Sequence, residues 1–237
     1  MAAAAAFGLR PGAALAESAP PIPRYELWIG AQAYQDVWSL YSGVTAAPFG
    51  SVREDGLRLR AAGGTGGYTY ERAGVGYRGT VSFADILLGY HAQLGPVTVK
   101  VYAGATGEDR RIAPFDPDVQ DVGTAFGAKV VLESWWTVSD KAWASLDLNA
   151  ATLRDAYAAR LRLGWRILSA LSVGLEAGAF GSADCDVGRI GGFVRYEWAT
   201  GEVSLSAGFS HDKLDLADPF NATSNSPFAT VTWLTRF

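Results

Sequence analysis

The chain has 237 residues, of which 28 are glycine, with 12% aromatic and only 19% charged side chains and a net charge of -4. An apolar content of 49% is ample for a core and argues against disorder, and the slightly acidic balance is opposite to the basic footprint of a nucleic-acid binder. One cysteine allows no internal disulfide, and two histidines leave a Cys/His zinc site short of ligands, so no metal or other cofactor is expected. No run approaches about 18 consecutive apolar residues, which excludes a membrane-spanning helix. A membrane barrel stays open, because each of its strands needs only about 9 to 11 residues with half of them apolar.

The first 23 residues read as a signal-like, flexible segment. Residues 2 to 9 form a short apolar block, and Ala14-Leu15-Ala16 has the small-x-small pattern of a signal-peptidase site, which points to export. Ser18 to Pro23 reads as an extended approach to one domain over 24 to 237. From Tyr25 onward the dominant period is two. Tyr157, Ala159, Leu161, Leu163, Trp165 and Ile167 share one parity while Arg160, Arg162 and Arg166 share the other, and a strand puts these sets on opposite faces. Such segments predict about twelve strands, near 25–34, 37–46, 56–70, 80–94, 97–107, 122–138, 141–151, 155–168, 171–181, 186–198, 202–212 and 227–237.

Tight turns follow the fourth, sixth, eighth and tenth strands, whereas long polar loops, 108–121 and 213–226, follow the fifth and eleventh. Short turns on one rim and longer loops on the other are the asymmetry of an outer-membrane barrel, periplasmic below and extracellular above. Residues 47–55 break the pattern, being long on the short-turn rim. A soluble β-sandwich shows the same alternation with its faces inverted, and three features select the membrane barrel. The polar parity is crowded with Gly, Ser, Ala and Arg, as suits a confined lumen. Tyr25, Trp136, Tyr157, Trp165, Tyr196, Trp198 and Phe237 sit toward strand ends as interfacial girdles do. The amphipathic segment closing on Phe237 resembles the signal read by the outer-membrane assembly machinery.

With that orientation the bacterial outer membrane is the expected location, lipid the expected surroundings, and the lumen the place for charge. On the lumenal parity stand Arg58 and Arg60, Asp85, Lys100, Lys129 and Glu133, then Asp147, Arg160, Arg162 and Arg166, and finally Glu176, Arg189, Arg195 and Glu197. Glu26 and His91 share that side. Such groups can pair into ladders that plug a narrow barrel, or line a weakly anion-attracting passage or a groove for polar ligands.

No catalytic residue is assigned, and an enzyme is not expected. Ser210-His211-Asp212 has the composition of a hydrolase triad, and some outer-membrane barrels hydrolyse lipids, but neighbours in a strand point to opposite faces. Ser206 or Ser224 could stand in as nucleophile, with nothing to select either. Gly63-Gly64-Thr65-Gly66-Gly67 lacks the lysine and helix of a phosphate loop and is better explained by close packing beside Tyr68 and Tyr70. Asn221-Ala222-Thr223 marks only a polar loop, Cys185 reads as an inert thiol in a short loop, and Asp116, Asp118 and Asp121 could at most hold a divalent cation loosely.

Trp28-Ile29-Gly30, Asp55-Gly56-Leu57-Arg58-Leu59-Arg60 leading into Tyr68-Thr69-Tyr70, Leu88-Gly89-Tyr90, Tyr102-Ala103-Gly104, Leu132-Glu133-Ser134-Trp135-Trp136 and the final Phe237 follow one another in an order that resembles the cellulose biosynthesis protein BcsS family. The resemblance implies a non-enzymatic outer-membrane accessory of bacterial cellulose synthesis and export, with β-glucan and the cellulose synthase complex as partners; it supplies no catalytic residue. A porin-like or adhesin-like barrel is the alternative, and the lipid hydrolase stands third.

Overall fold

In the computed structural model, which describes residues 22–34, 36–119, 122–182, 185–212 and 225–237, each run of alternating side chains pairs with its sequence neighbours. Twelve antiparallel strands result: β1 (Tyr25–Tyr34), β2 (Val37–Ala46), β3 (Gly56–Arg72), β4 (Val75–Leu94), β5 (Val97–Ala113), β6 (Gly123–Thr137), β7 (Ala142–Ala151), β8 (Tyr157–Arg166), β9 (Leu171–Ser182), β10 (Cys185–Trp198), β11 (Gly201–Asp212) and β12 (Asn225–Arg236). β1 pairs with β12 and closes the barrel, so no strand is an edge strand, although the upper ends of β3, β5 and β6 run past a neighbour. At the seam the Phe237 carbonyl accepts the amides of Arg24 and Tyr25, and the Tyr25 and Phe237 rings stack at 5.7 Å. The predicted signal-like segment falls almost wholly outside the described residues, as does Asn221-Ala222-Thr223.

The outward parity decides the solvent. Leu27 and Ile29 on β1, Ile86 and Leu88 on β4, Leu161 and Leu163 on β8, and Val231 and Trp233 on β12 are all exposed, as are the seven aromatics of the predicted girdles. Charge sits on the other face: Glu26, Arg58, Arg60, Asp85, Arg162, Glu176 and Arg195 are buried. A soluble sandwich would bury the first group and expose the second. The apolar faces therefore meet hydrocarbon, and the protein is an outer-membrane barrel.

Several elements differ from the sequence expectation. β3, β4 and β5 run to Arg72, from Val75 and to Ala113, beyond the expected bounds 70, 80 and 107. Their upper halves carry Thr65, Thr69, Glu71, Arg78, Thr80, Ser82, Asp109 and Arg111 on the outward face, so this part rises above the bilayer as an extracellular flap. Apolar periodicity fades there because both faces are wet. The hairpin tip turns through Ala73 and Gly74 at φ 51° and 75°, the positive pair of a type I′ turn. A short 3-10 turn, Leu153–Asp155, precedes β8, and Cys185 opens β10 instead of sitting in a loop.

The glycine run of β3 also packs differently. A Cβ at Gly64 or Gly67 would strike Phe83 or Trp38, so the close neighbours are those rings and not Tyr68 and Tyr70. Elsewhere glycine seats the largest buried side chain: a Cβ at Gly164 would lie 2.2 Å from Trp143, whose indole stacks on Trp135 at 4.1 Å and donates to Ser172 Oγ at 3.3 Å. Gly164→Val should cost about 1–3 kcal/mol in a urea titration of the micelle-embedded protein. Gly192→Ala, whose added methyl meets only a carbonyl at 3.5 Å, should be close to neutral.

Candidate functional site

The lumen is built from two layers of charge. In the middle layer Arg160 grips Asp147 Oδ2 through Nε and Nη2 at 3.0 and 2.8 Å. Glu176, 1% exposed, is held between Arg162 Nε at 2.6 Å and Arg189 Nη2 at 2.9 Å, and Ser206 Oγ donates to it at 3.2 Å. Lys129 on β6 pairs with Asp85 on β4 at 2.6 Å. A buried charge is tolerable only when paired and hydrogen-bonded, so these groups fix one another.

The lower layer lies at the periplasmic ends of the strands. Lys100 on β5 reaches Glu26 on β1 at 3.2 Å, four strands away around the ring, and the other Glu26 oxygen accepts Arg236 Nε at 2.9 Å. Arg60 donates to both Glu133 oxygens at 2.5 and 3.1 Å while its guanidinium lies 3.8 Å over the Tyr102 ring. Arg195 on β10 stacks 4.6 Å above Trp135 on β6, again four strands away, and bonds Glu197 and Glu202. A contact between strands four apart in a ring of twelve is a chord through the interior. Two such chords and the stacked indoles fill this end.

Residues 47–55 then cover it. Ala47, Ser51 and Val52 are buried, and the Val52 amide donates to the Pro23 carbonyl at 2.8 Å. Arg58, 1% exposed, donates to the carbonyls of Ser51, at 3.0 Å, and Glu54, and lies 3.0 Å from His91 Nδ1. Arg53 reaches the Ala199 carbonyl in the β10–β11 turn, which ties the segment to another arc of the rim. The periplasmic mouth is thus strapped from inside and out.

At the other end the flap carries aromatic rings on its lumenal face. Tyr68, Tyr70 and Tyr77 stack with centroids 6.0 and 5.0 Å apart and planes inclined by 20° and 13°. The β5–β6 loop folds against them: Asp116 accepts the Tyr70 hydroxyl at 2.7 Å, the Asp118 amide at 3.1 Å and Arg72 Nη1 at 3.3 Å. The Tyr70 bond holds the Asp116 carboxyl below the usual carboxylate range. Desolvation and the same bond push the Tyr70 phenol up to about 12.

This architecture has known counterparts. The sequence profile of the family described as cellulose biosynthesis protein BcsS matches residues 27–237. The chain belongs to this family. No curated protein matches it. Among solved structures, the transport unit of the autotransporter AIDA-I from Escherichia coli is similar at 9% identity over 95% of this chain and 92% of that one, with a TM-score of 0.54. The TodX deltaS2S3 mutant monoaromatic hydrocarbon channel gives 10%, 92%, 91% and 0.53. The β domain of the Bordetella autotransporter BrkA gives 13%, 91%, 98% and 0.52. At these identities the likeness concerns the barrel fold.

Within this BcsS-family barrel, the charged residues named from the sequence fall into separate sets. Asp147, Arg160, Arg162, Glu176 and Arg189 cluster on β7–β10, Asp85 meets Lys129, and Arg60, Lys100 and Glu133 share one network. Arg195 and Glu197 pair near the rim. Arg58 serves the strap, and Arg166 donates at the rim to the Asp140 carbonyl at 3.1 Å, away from both layers. Glu202 and Arg236 belong to the lower layer and were missed, although each stands on the polar parity of its strand. Ser210 donates to the Ser226 carbonyl at 3.1 Å, while His211 occupies the opposite parity of β11, so the triad-like tripeptide is not assembled by these two.

Two measurements probe these contacts. Glu176→Ala leaves Arg162 and Arg189 as unpaired like charges and should destabilise the barrel by about 3–5 kcal/mol, read as an earlier loss of the heat-modifiable folded band. The loop latch has a defined pH window. Asp116, with a lowered pKa, contributes above its unfolded value and loses that contribution as pH falls through the folded one; Tyr70 contributes below its unfolded value and loses it as pH rises toward about 12. Backbone protection of residues 114–119 should therefore be maximal at neutral pH and fall at both extremes, and Asp116→Asn should abolish the acidic limb.

Proposed function

We propose that the protein is a non-enzymatic accessory barrel of cellulose biosynthesis that meets the glucan from the extracellular side and does not conduct it. The observation that carries this reading is the closed periplasmic mouth. A polymer threading the lumen would have to break the Lys100–Glu26 and Arg195–Trp135 chords and displace the strap fastened by Arg58 and Arg53. Parting Lys100 from the buried Glu26, or pulling the strap carbonyls away from the buried Arg58, would leave buried charge short of a partner, at a cost of about 3–5 kcal/mol for a broken buried pair. Family membership supplies the pathway and implies the cellulose synthase complex as a partner; the outward apolar face and the strand closing on Phe237 make outer-membrane lipids and the assembly machinery the others. The lumenal charges act here as a structural network.

Deletion of the gene should lower secreted cellulose, and the purified protein should give no steady open-channel current in planar bilayers. Removing residues 48–53 together with alanine substitution of Lys100, Trp135 and Arg195 should create one. Steady currents from the intact protein, with cellulose output unaltered by the deletion, would instead identify a porin-like channel.

A further inference from the structure

Outside the bilayer, a cleft of about 690 Å³ opens where the β1–β2 turn meets the tip of the flap. Asp36, Thr69, Glu71, Gly76 and Arg78 line it, with Tyr70 and Tyr77 behind them. We propose that this cleft binds a segment of a neutral, polyhydroxylated chain, a run of β-linked glucosyl units. This rests on the cellulose-accessory reading above and gives that reading a contact point.

The unpaired charges make the first argument. Asp36, Glu71 and Arg78 share the cleft, are exposed, and make no side-chain hydrogen bond or ion pair among the described residues. The two carboxylates present only acceptors and the guanidinium only donors. A ligand that satisfies all three must offer donors and acceptors side by side, as vicinal hydroxyls do. A polyanion would face two carboxylates against one guanidinium, and a polycation would meet Arg78. A neutral polyol carries neither penalty.

Shape makes the second. A volume of this size lies within the ~300–1,000 Å³ of ligand sites. The cleft is open and not enclosed, which suits a stretch of polymer that continues beyond it. Gly76 faces it on the outward parity, and a Cβ there would meet nothing within 4 Å, so floor space exists where a side chain would otherwise stand.

Rigidity makes the third. Thr69 pairs with Arg78, Arg78 pairs with Ala113, and the Thr69 amide donates to the Asp36 carbonyl at 3.1 Å, which fixes the turn to the flap. The stacked Tyr70 and Tyr77 rings brace the same rungs from the lumenal face. A preformed site loses less freedom on binding than a floppy loop.

The test is titration calorimetry on the full chain in lipid nanodiscs with cellohexaose. Cellohexaose should bind, and Gly76→Phe, which fills the cleft without touching the tyrosine stack, should weaken binding about tenfold or more while leaving thermal unfolding unchanged. Glu71→Gln and Arg78→Leu should each weaken it severalfold. No binding to the intact protein, equal binding to a hexameric oligogalacturonate, or undiminished binding in Gly76→Phe would overturn the proposal. The parent reading fails separately: if the cleft binds as described but gene deletion leaves cellulose output unaltered, the accessory role falls and the cleft stands. If deletion lowers cellulose and the Gly76→Phe allele restores it fully, the role stands and the cleft falls.

Discussion

A closed antiparallel sheet gives each side chain two destinations, hydrocarbon or lumen, and the rest of the molecule follows from that choice. Once the apolar parity of twelve strands is turned outward, every Arg, Lys, Asp and Glu on the other parity is confined to a narrow interior. Water cannot solvate such groups freely there. They must find each other, on adjacent strands as Arg160 and Asp147 do, or across the ring as Lys100 and Glu26 do. Lys100 and Glu26 are partners because of the diameter of the barrel as much as their charges.

Closure at one end is a consequence of where bulk and charge are concentrated. Trp135 and Trp143 stack near the periplasmic ends of β6 and β7, Tyr102 lies under Arg60, and Arg195 covers the indoles. Glycine makes room for these rings on neighbouring strands, at Gly89 for Tyr102 and at Gly164 for Trp143. The aromatic residues thus have two separate employments: those on the outward parity form the interfacial girdles, and those on the inward parity fill the lower lumen. Composition alone counts both together.

How much of this was legible in the sequence follows the same division. Strand number, orientation, the girdles and the inward set were readable because a period of two is a local property and membrane burial enforces it on every strand. Pair identities were not. Whether Arg162 meets Glu176 or Asp147 depends on register and shear, which no single strand encodes. The flap was underestimated for a physical reason too: above the bilayer both faces are wet, so Thr65 to Arg72 and Val75 to Ser82 lose the alternation that marked the rest. Residues 47–55 were conspicuous only as an exception to the short-turn rule, and the buried Ser51 and Val52 explain why that turn is long.

The asymmetry of the two ends also constrains what the barrel can exchange with its surroundings. On the periplasmic side, backbone carbonyls of Ser51 and Glu54 are consumed by Arg58, and Arg53 is spent on the far turn, so little polar capacity remains to receive a ligand. On the extracellular side the flap stands on only three of the strands, and Glu71 and Arg78 near its tip, with Asp36 in the neighbouring β1–β2 turn, make no side-chain hydrogen bond or ion pair among the described residues. Binding capacity survives where internal pairing has not used it. Polar groups used up on one rim and left to solvent on the other are the asymmetry on which the proposed glucan contact rests.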